Sequence, residues 1–208
     1  MSTLTDLLAR VAIDLKDPDH AVWSDAELTR SIRWALHELS WAAPRRGQAV
    51  LPPAQGHEHS LTALGVSGLL YCIEVWYPYD PEEPEAPARP VGWRLLDDDT
   101  LRLEVSGAAP GRAARLIFGQ AHTLAGLDEA VVTTLNTEQE ELVCMGAGGH
   151  AVQQRALAGI AQINVTLQAP RLWREWGEER LHAFRARLQQ MQAREQQWRS
   201  PWTCGWSV

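Results

Sequence analysis

Lysine is nearly missing from this chain of 208 residues: Lys16 stands alone, and all other basic charge is arginine. With 19 basic against 26 acidic side chains, the net charge of -7 argues against a general nucleic-acid binder, which needs a basic face. Cysteine is scarce too. Cys72, Cys144 and Cys204 are odd in number and far apart, so they form neither a disulfide framework nor a metal-ligand spacing. A reducing compartment is expected. No near-continuous apolar run of about twenty residues exists, so no membrane span or membrane partner is expected. The start, MSTLTDLLAR, lacks the basic opening and apolar core of a signal peptide. Synthesis and assembly in a cytoplasm are therefore expected. Phenylalanine is down to two residues, whereas tryptophan reaches ten. A GC-rich genome is the plain reading of the arginine bias, but tryptophan and arginine are also the residues enriched at interface hot spots.

Two amphipathic helices dominate the first fifth of the chain. Leu4, Leu7, Leu8, Val11, Ala12 and Leu15 line one face of a helix over residues 4–15, which Pro18 ends. A second helix over residues 25–43 turns Leu28, Ile32, Ala35, Leu36 and Leu39 inward and stops at Pro44. The acidic loop between them is short, so the helices are antiparallel neighbours. Ser24 followed by Glu27 is a capping box, and Trp23 before it is placed to staple onto Leu28 or a near neighbour.

Residues 47–120 hold most of the Pro and Gly and the strand-like pieces. Residues 60–64 read as a weak strand and 69–77 as a strong one, followed by further strands at 93–96, 100–105 and 112–118. Asp97–Asp99 and Gly107–Gly111 read as hairpin turns, and residues 78–90, PYDPEEPEAPARP, as an acidic proline-rich loop. From Leu124 the chain returns to helix. Thr137 and Glu140 form a second capping box opening a helix at Glu138. Gly146, Gly148 and Gly149 kink it, split it or let another helix pack closely, and Pro170 closes it. In a last helix over residues 172–198, Trp173, Trp176, Leu181, Phe184, Leu188, Met191 and Trp198 mark the apolar stripe. This helix is locally basic, whereas residues 74–104 are acidic, as suits a subunit that meets different neighbours on different faces.

Catalytic signatures are absent. There is no G-x-S-x-G elbow, P-loop, H-E-x-x-H or G-x-G-x-x-G following a strand. MGAGGH at residues 145–150 lacks the strand and Lys-Ser/Thr of a phosphate loop. His57 and His59 would share a strand face, but third and fourth zinc ligands are not in reach by sequence. Asp14, Asp17, Asp19 and His20 lack the Gly and distal Glu of a calcium loop. No catalytic, cofactor-binding or metal residue is nominated. Trp198, Trp202 and Trp206 recur every four residues beyond any core, which reads as an anchor peptide ordered on docking.

The stretch Trp23-Ser24-Asp25-Ala26-Glu27-Leu28, with its flanking helices and Asp-rich loop, resembles the N-terminus of head-to-tail connector (adaptor) proteins of tailed bacteriophages. The resemblance implies an α+β fold: an antiparallel bundle of about four helices with a small antiparallel β sub-domain inserted and an extended C-terminal tail. The divisions would be 1–46, 47–123, 124–199 and 200–208. It implies a non-catalytic virion protein of the neck, forming a ring of typically twelve copies under the portal protein. A stopper or tail-completion protein would meet its other side, and DNA would slide through the channel without sequence-specific binding. Carried onto this chain, Trp198, Trp202, Trp206 and Val208 would dock in the portal, and Arg180, Arg185, Arg187 and Arg194 would meet the portal or neighbouring subunits. Trp23, Ser24 and Glu27 would serve structure. The rival readings are a neck stopper or tail-completion protein, a Trp-rich small-ligand or carbohydrate-binding module, and, third, an enzyme.

Overall fold

The computed structural model describes residues 2–53, 57–105, 112–160 and 168–197. Among them run four helices and seven strands, in the order α1 (Leu4–Asp14), α2 (Asp25–Ala42), β1 (Arg45–Leu51), β2 (Glu58–Ser60), β3 (Leu69–Tyr79), β4 (Arg89–Pro90), β5 (Gly92–Leu95), β6 (Thr100–Glu104), β7 (Ala113–Gln120), α3 (Thr137–Ile160) and α4 (Gln168–Gln197). The strands build two antiparallel sheets, ordered β1-β7-β3-β4 and β2-β6-β5. This corrects the expectation of a helical bundle with a small β insert: the fold is mixed α+β and strand-rich. The described residues divide into two compact units, one drawn from residues 2–43 and 122–197 and one from residues 44–121.

In the helical unit α1 starts with a capping box, Thr3 accepting from the Asp6 amide while Asp6 reaches back to the Thr3 amide. It ends before Pro18. Lys16 adopts a left-handed conformation (φ 58°), and the Lys16 and Asp17 amides donate to the Ile13 and Ala12 carbonyls. That is a Schellman closure without the usual glycine. The loop that follows wraps around one carboxylate. Asp17 is buried and accepts from the amides of Ala21, Val22 and Trp23, each at 2.9 Å. These donors, that of Trp23 foremost, hold its pKa below the ordinary carboxylate value. The loop therefore delivers Trp23 to the core and Ser24 to the start of α2.

Helix α3 packs against α1, α2 and α4. Its capping box lies one residue before the expected one: Asn136 and Gln139 exchange bonds, Gln139 amide to Asn136 Oδ1 (2.9 Å) and Asn136 amide to Gln139 Oε1 (3.0 Å). Glu140 is thereby released for tertiary use, accepting from the Ser2 hydroxyl at 2.7 Å and from Arg10 at 3.1 Å. The glycines neither split nor end the helix. A Cβ on Gly146 would stand 2.8 Å from the Phe184 ring, and one on Gly149 would stand 3.0 Å from Leu181 Cγ. Their absence of side chain lets α4 lie close, with Phe184 and Leu181 fully buried between the helices. Pro170 does not close α3; it falls in the first turn of α4, where the missing amide proton costs nothing.

In the β unit, β3 alternates Val75 and Tyr77 inward and β7 alternates Ala114, Leu116 and Phe118, as the two-residue strand period requires. With Leu101 and Leu103 of β6, Leu51, Leu61, Val66 and Cys72 they form a core separate from that of the helices. Strand β1 was not expected. Its first four residues, Arg45-Arg46-Gly47-Gln48, lack apolar side chains, but it pairs with β7 over seven residues, and Gly47 sits opposite Phe118, whose ring lies 2.7 Å from where a Cβ would be. Strand β4 was also missed. Of the expected strand at 60–64 only Ser60 is in a strand, β2, and residues 61–64 form a turn instead. Asp97 accepts from the Asp99 and Thr100 amides in the β5–β6 hairpin, and Asp99 ties that turn to the Ser60 hydroxyl and Thr62 amide. The expected turn at Gly107–Gly111 lies outside the described residues.

Candidate functional site

The surface of the helical unit is organised by α4, about 45 Å long at 1.5 Å per residue. At about 100° per residue, its buried residues Gly177, Leu181, Phe184 and Leu188 share one arc. Arg180, Arg187 and Arg194, seven residues apart, run along one border of that arc, and Arg185 falls on the other.

The four arginines nominated from the sequence therefore do different things. Arg180 is committed within the unit: it bonds Asp14 of α1 and stacks 4.8 Å over the Trp176 ring. Arg187 and Arg194 are exposed and border a cleft of about 110 Å³ floored by Leu142, Met145 and Met191, with Glu138 and Glu141 opposite. Arg185 is exposed. Arg171 and Arg174, not nominated, make helical pairs with Glu175 (3.2 Å) and Glu178 (3.5 Å). Trp198, Trp202, Trp206 and Val208 lie outside the described residues.

At the N-terminus of α2, Ser24 accepts from the Glu27 amide while the Glu27 carboxylate receives the Ser24 amide at 2.9 Å and hydroxyl at 2.8 Å. Those Ser24 donors hold the Glu27 pKa below the ordinary value. Trp23 is 6% exposed, and its ring meets Trp173 of α4 with centroids 6.0 Å apart. Nearby, a cleft of about 290 Å³ opens between α2 and α3, lined by Trp23, Glu27, Arg30, Ser31, Arg155 and Leu157 among others. Arg30 and Arg155 carried no signal in the sequence, since they lie 125 residues apart on different helices and neither belongs to a motif. Only the packing of α3 on α2 brings them to one cleft. Deeper in, His150 stacks on Trp34 (4.7 Å between centroids, 15° between planes) and hydrogen-bonds Ser31 Oγ at 3.1 Å. Burial, with Arg30 adding to it, holds its pKa below 6.5.

His57 and His59 do not share a strand face. His57 precedes β2 with φ 58°, and His59 is buried, its pKa lowered mainly by that burial. Among the described residues no three His, Cys, Asp or Glu side chains gather as a metal site requires. Cys72 and Cys144 are buried, and desolvation pushes both thiols up to about 11, far from a reactive thiolate. No helix among the described residues is long and apolar enough to cross a membrane. No known family model matches the chain, and no curated protein matches it either.

Proposed function

We propose that this protein is a head-to-tail adaptor of a tailed bacteriophage, a structural subunit that forms a ring beneath the portal and links the DNA-filled capsid to the tail. The observation that carries the reading is the N-terminal hairpin: α1, a loop gathered on Asp17, then Trp23 and the Ser24–Glu27 box opening α2, in the order of the family pattern. Arg185, Arg187 and Arg194, exposed on α4, supply cations for acidic groups of the portal or of neighbouring subunits. The tryptophan-bearing segment 198–208 is the portal-docking arm, and a ring makes many modest contacts tight. The acidic balance of the chain suits a channel that DNA passes without sticking.

A sugar-binding reading gains nothing from the β unit. Trp76 is half-buried and donates to the Glu74 carboxylate at 3.0 Å, and Trp93 packs against the core. The test is capture from infected-cell lysate with the full chain and with a version ending at Arg199, read by mass spectrometry. Recovery of a portal protein by the full chain alone is the expected result. Recovery of tail proteins alone, or equal recovery by both versions, would overturn the docking arm.

A further inference from the structure

The cleft between α2 and α3 and the acidic segment between β3 and β4 complement each other in charge and in shape of side chain. The cleft presents Arg30, exposed and in no ion pair among the described residues, and Arg155. Its one carboxylate, Glu27, already holds the Ser24 amide and hydroxyl and faces Arg155 at 4.0 Å. Beside it are the apolar surfaces of Leu157, 62% exposed, and of Trp173, 38% exposed and in contact with Trp23. The acidic segment is held at both ends by the sheet, through Asp80–Arg112 (3.5 Å) on one side and the pairing of Arg89 with Tyr77 on the other. Between these anchors Pro81, Glu82, Glu83, Pro84 and Glu85 are all exposed, and the three glutamates form no ion pair among the described residues.

We infer that the segment 81–87 of one copy of this chain docks in the Arg30/Arg155 cleft of a second copy, glutamates on the guanidiniums and prolines against the indole and leucine surfaces. Proline rings pack readily on aromatic faces, and their stiffness lowers the ordering cost of binding. Donor segment and acceptor cleft are different surfaces, so the contact can repeat head to tail, as the ring proposed above requires, and closes when the rotation allows. This inference rests on the ring proposed above for its choice of a second copy as occupant, but it does not depend on the portal.

The test uses the full-length protein and a synthetic peptide of residues 79–90. Saturable binding of the peptide is expected, weakened by salt and weakened at least about tenfold by Arg30→Glu with Arg155→Glu. Light scattering of the full chain should show concentration-dependent association. It should be lost in that variant, lost in a variant carrying Glu82→Arg, Glu83→Arg and Glu85→Arg, and restored when the two variants are mixed. No peptide binding at about 1 mM, or binding indifferent to the arginine changes, would overturn the inference. So would peptide binding by a full chain that stays monomeric at every concentration, which would make the occupant the chain's own segment. Failure here with portal capture intact removes this contact alone; failure of portal capture with association intact removes only the adaptor reading.

Discussion

Single side chains do much of the shaping in the helical unit, and they do it by holding backbone amides. Ser24→Ala removes the acceptor for the Glu27 amide and should cost about 1 kcal/mol in urea unfolding, the usual worth of such a cap. Asp17→Ala removes the carboxylate that accepts from three amides and should lower the unfolding midpoint clearly, whereas the exposed neighbour Asp19→Ala should leave it nearly unchanged. The pH profile follows from the same groups. His59 and His150 have folded pKa values below 6.5, so the unfolded chain protonates first and stability falls as pH drops below 6.5. Asp17, Asp99 and Asp128 have folded values below 3.8, so the stability they contribute is present above 3.8 and is lost as pH falls through their folded values. Denaturant midpoints should therefore be level from neutrality up to the onset of thiol ionisation in the unfolded chain and decline in two stages in acid. His150→Gln should reduce the first stage, and an unchanged profile would remove His150 from it. The thiols make a separate prediction: at pH 8 Cys72 and Cys144 should resist alkylation in the native protein and react after denaturation, as peptide mass spectrometry would read.

Elements are where local preference and packing disagree. A glycine inside a helix ordinarily costs roughly 1 kcal/mol against alanine, so propensity alone predicts that Gly146→Ala stabilises α3. The Phe184 ring, 2.8 Å from the added methyl and itself fully buried, reverses the sign. Gly146→Ala should destabilise by about 1–3 kcal/mol, as overpacking does. A gain in melting temperature would refute the close α3–α4 contact. The start of α3 shows the same competition. Thr137 and Glu140 have the spacing of a capping box, yet Asn136 with Gln139 takes that role, and Glu140 instead accepts from Ser2 and Arg10. Burial raises the Glu140 pKa, and those donors outweigh it and leave the value lowered. Strand β1 forms for a reason no window of its own sequence contains: β7 offers it seven partners, and Gly47 leaves room for Phe118.

For the whole molecule, two separate cores predict two cooperative units. Phe184→Ala should cost roughly 3–5 kcal/mol and lower hydrogen-exchange protection in α2, α3 and α4, while β3 and β7 keep theirs. Leu116→Ala should do the reverse. Loss of protection throughout the chain in either variant would show a single cooperative unit instead.

What could be read from the sequence by itself was local. Periodicity marked α1 and α2, a four-residue pattern marked Ser24 and Glu27, a β-branched and aromatic run marked β3, and three aspartates marked the β5–β6 turn. Each depends on residues within one or two turns of each other. The tertiary structure alone decided the two-sheet arrangement of the β unit, the pairing of β1 with β7, the use of the α3 glycines as a seat for Phe184 and Leu181, and the meeting of Arg30 with Arg155. These depend on which distant segments bury surface together, and burial is a property of the packed chain that no single segment carries.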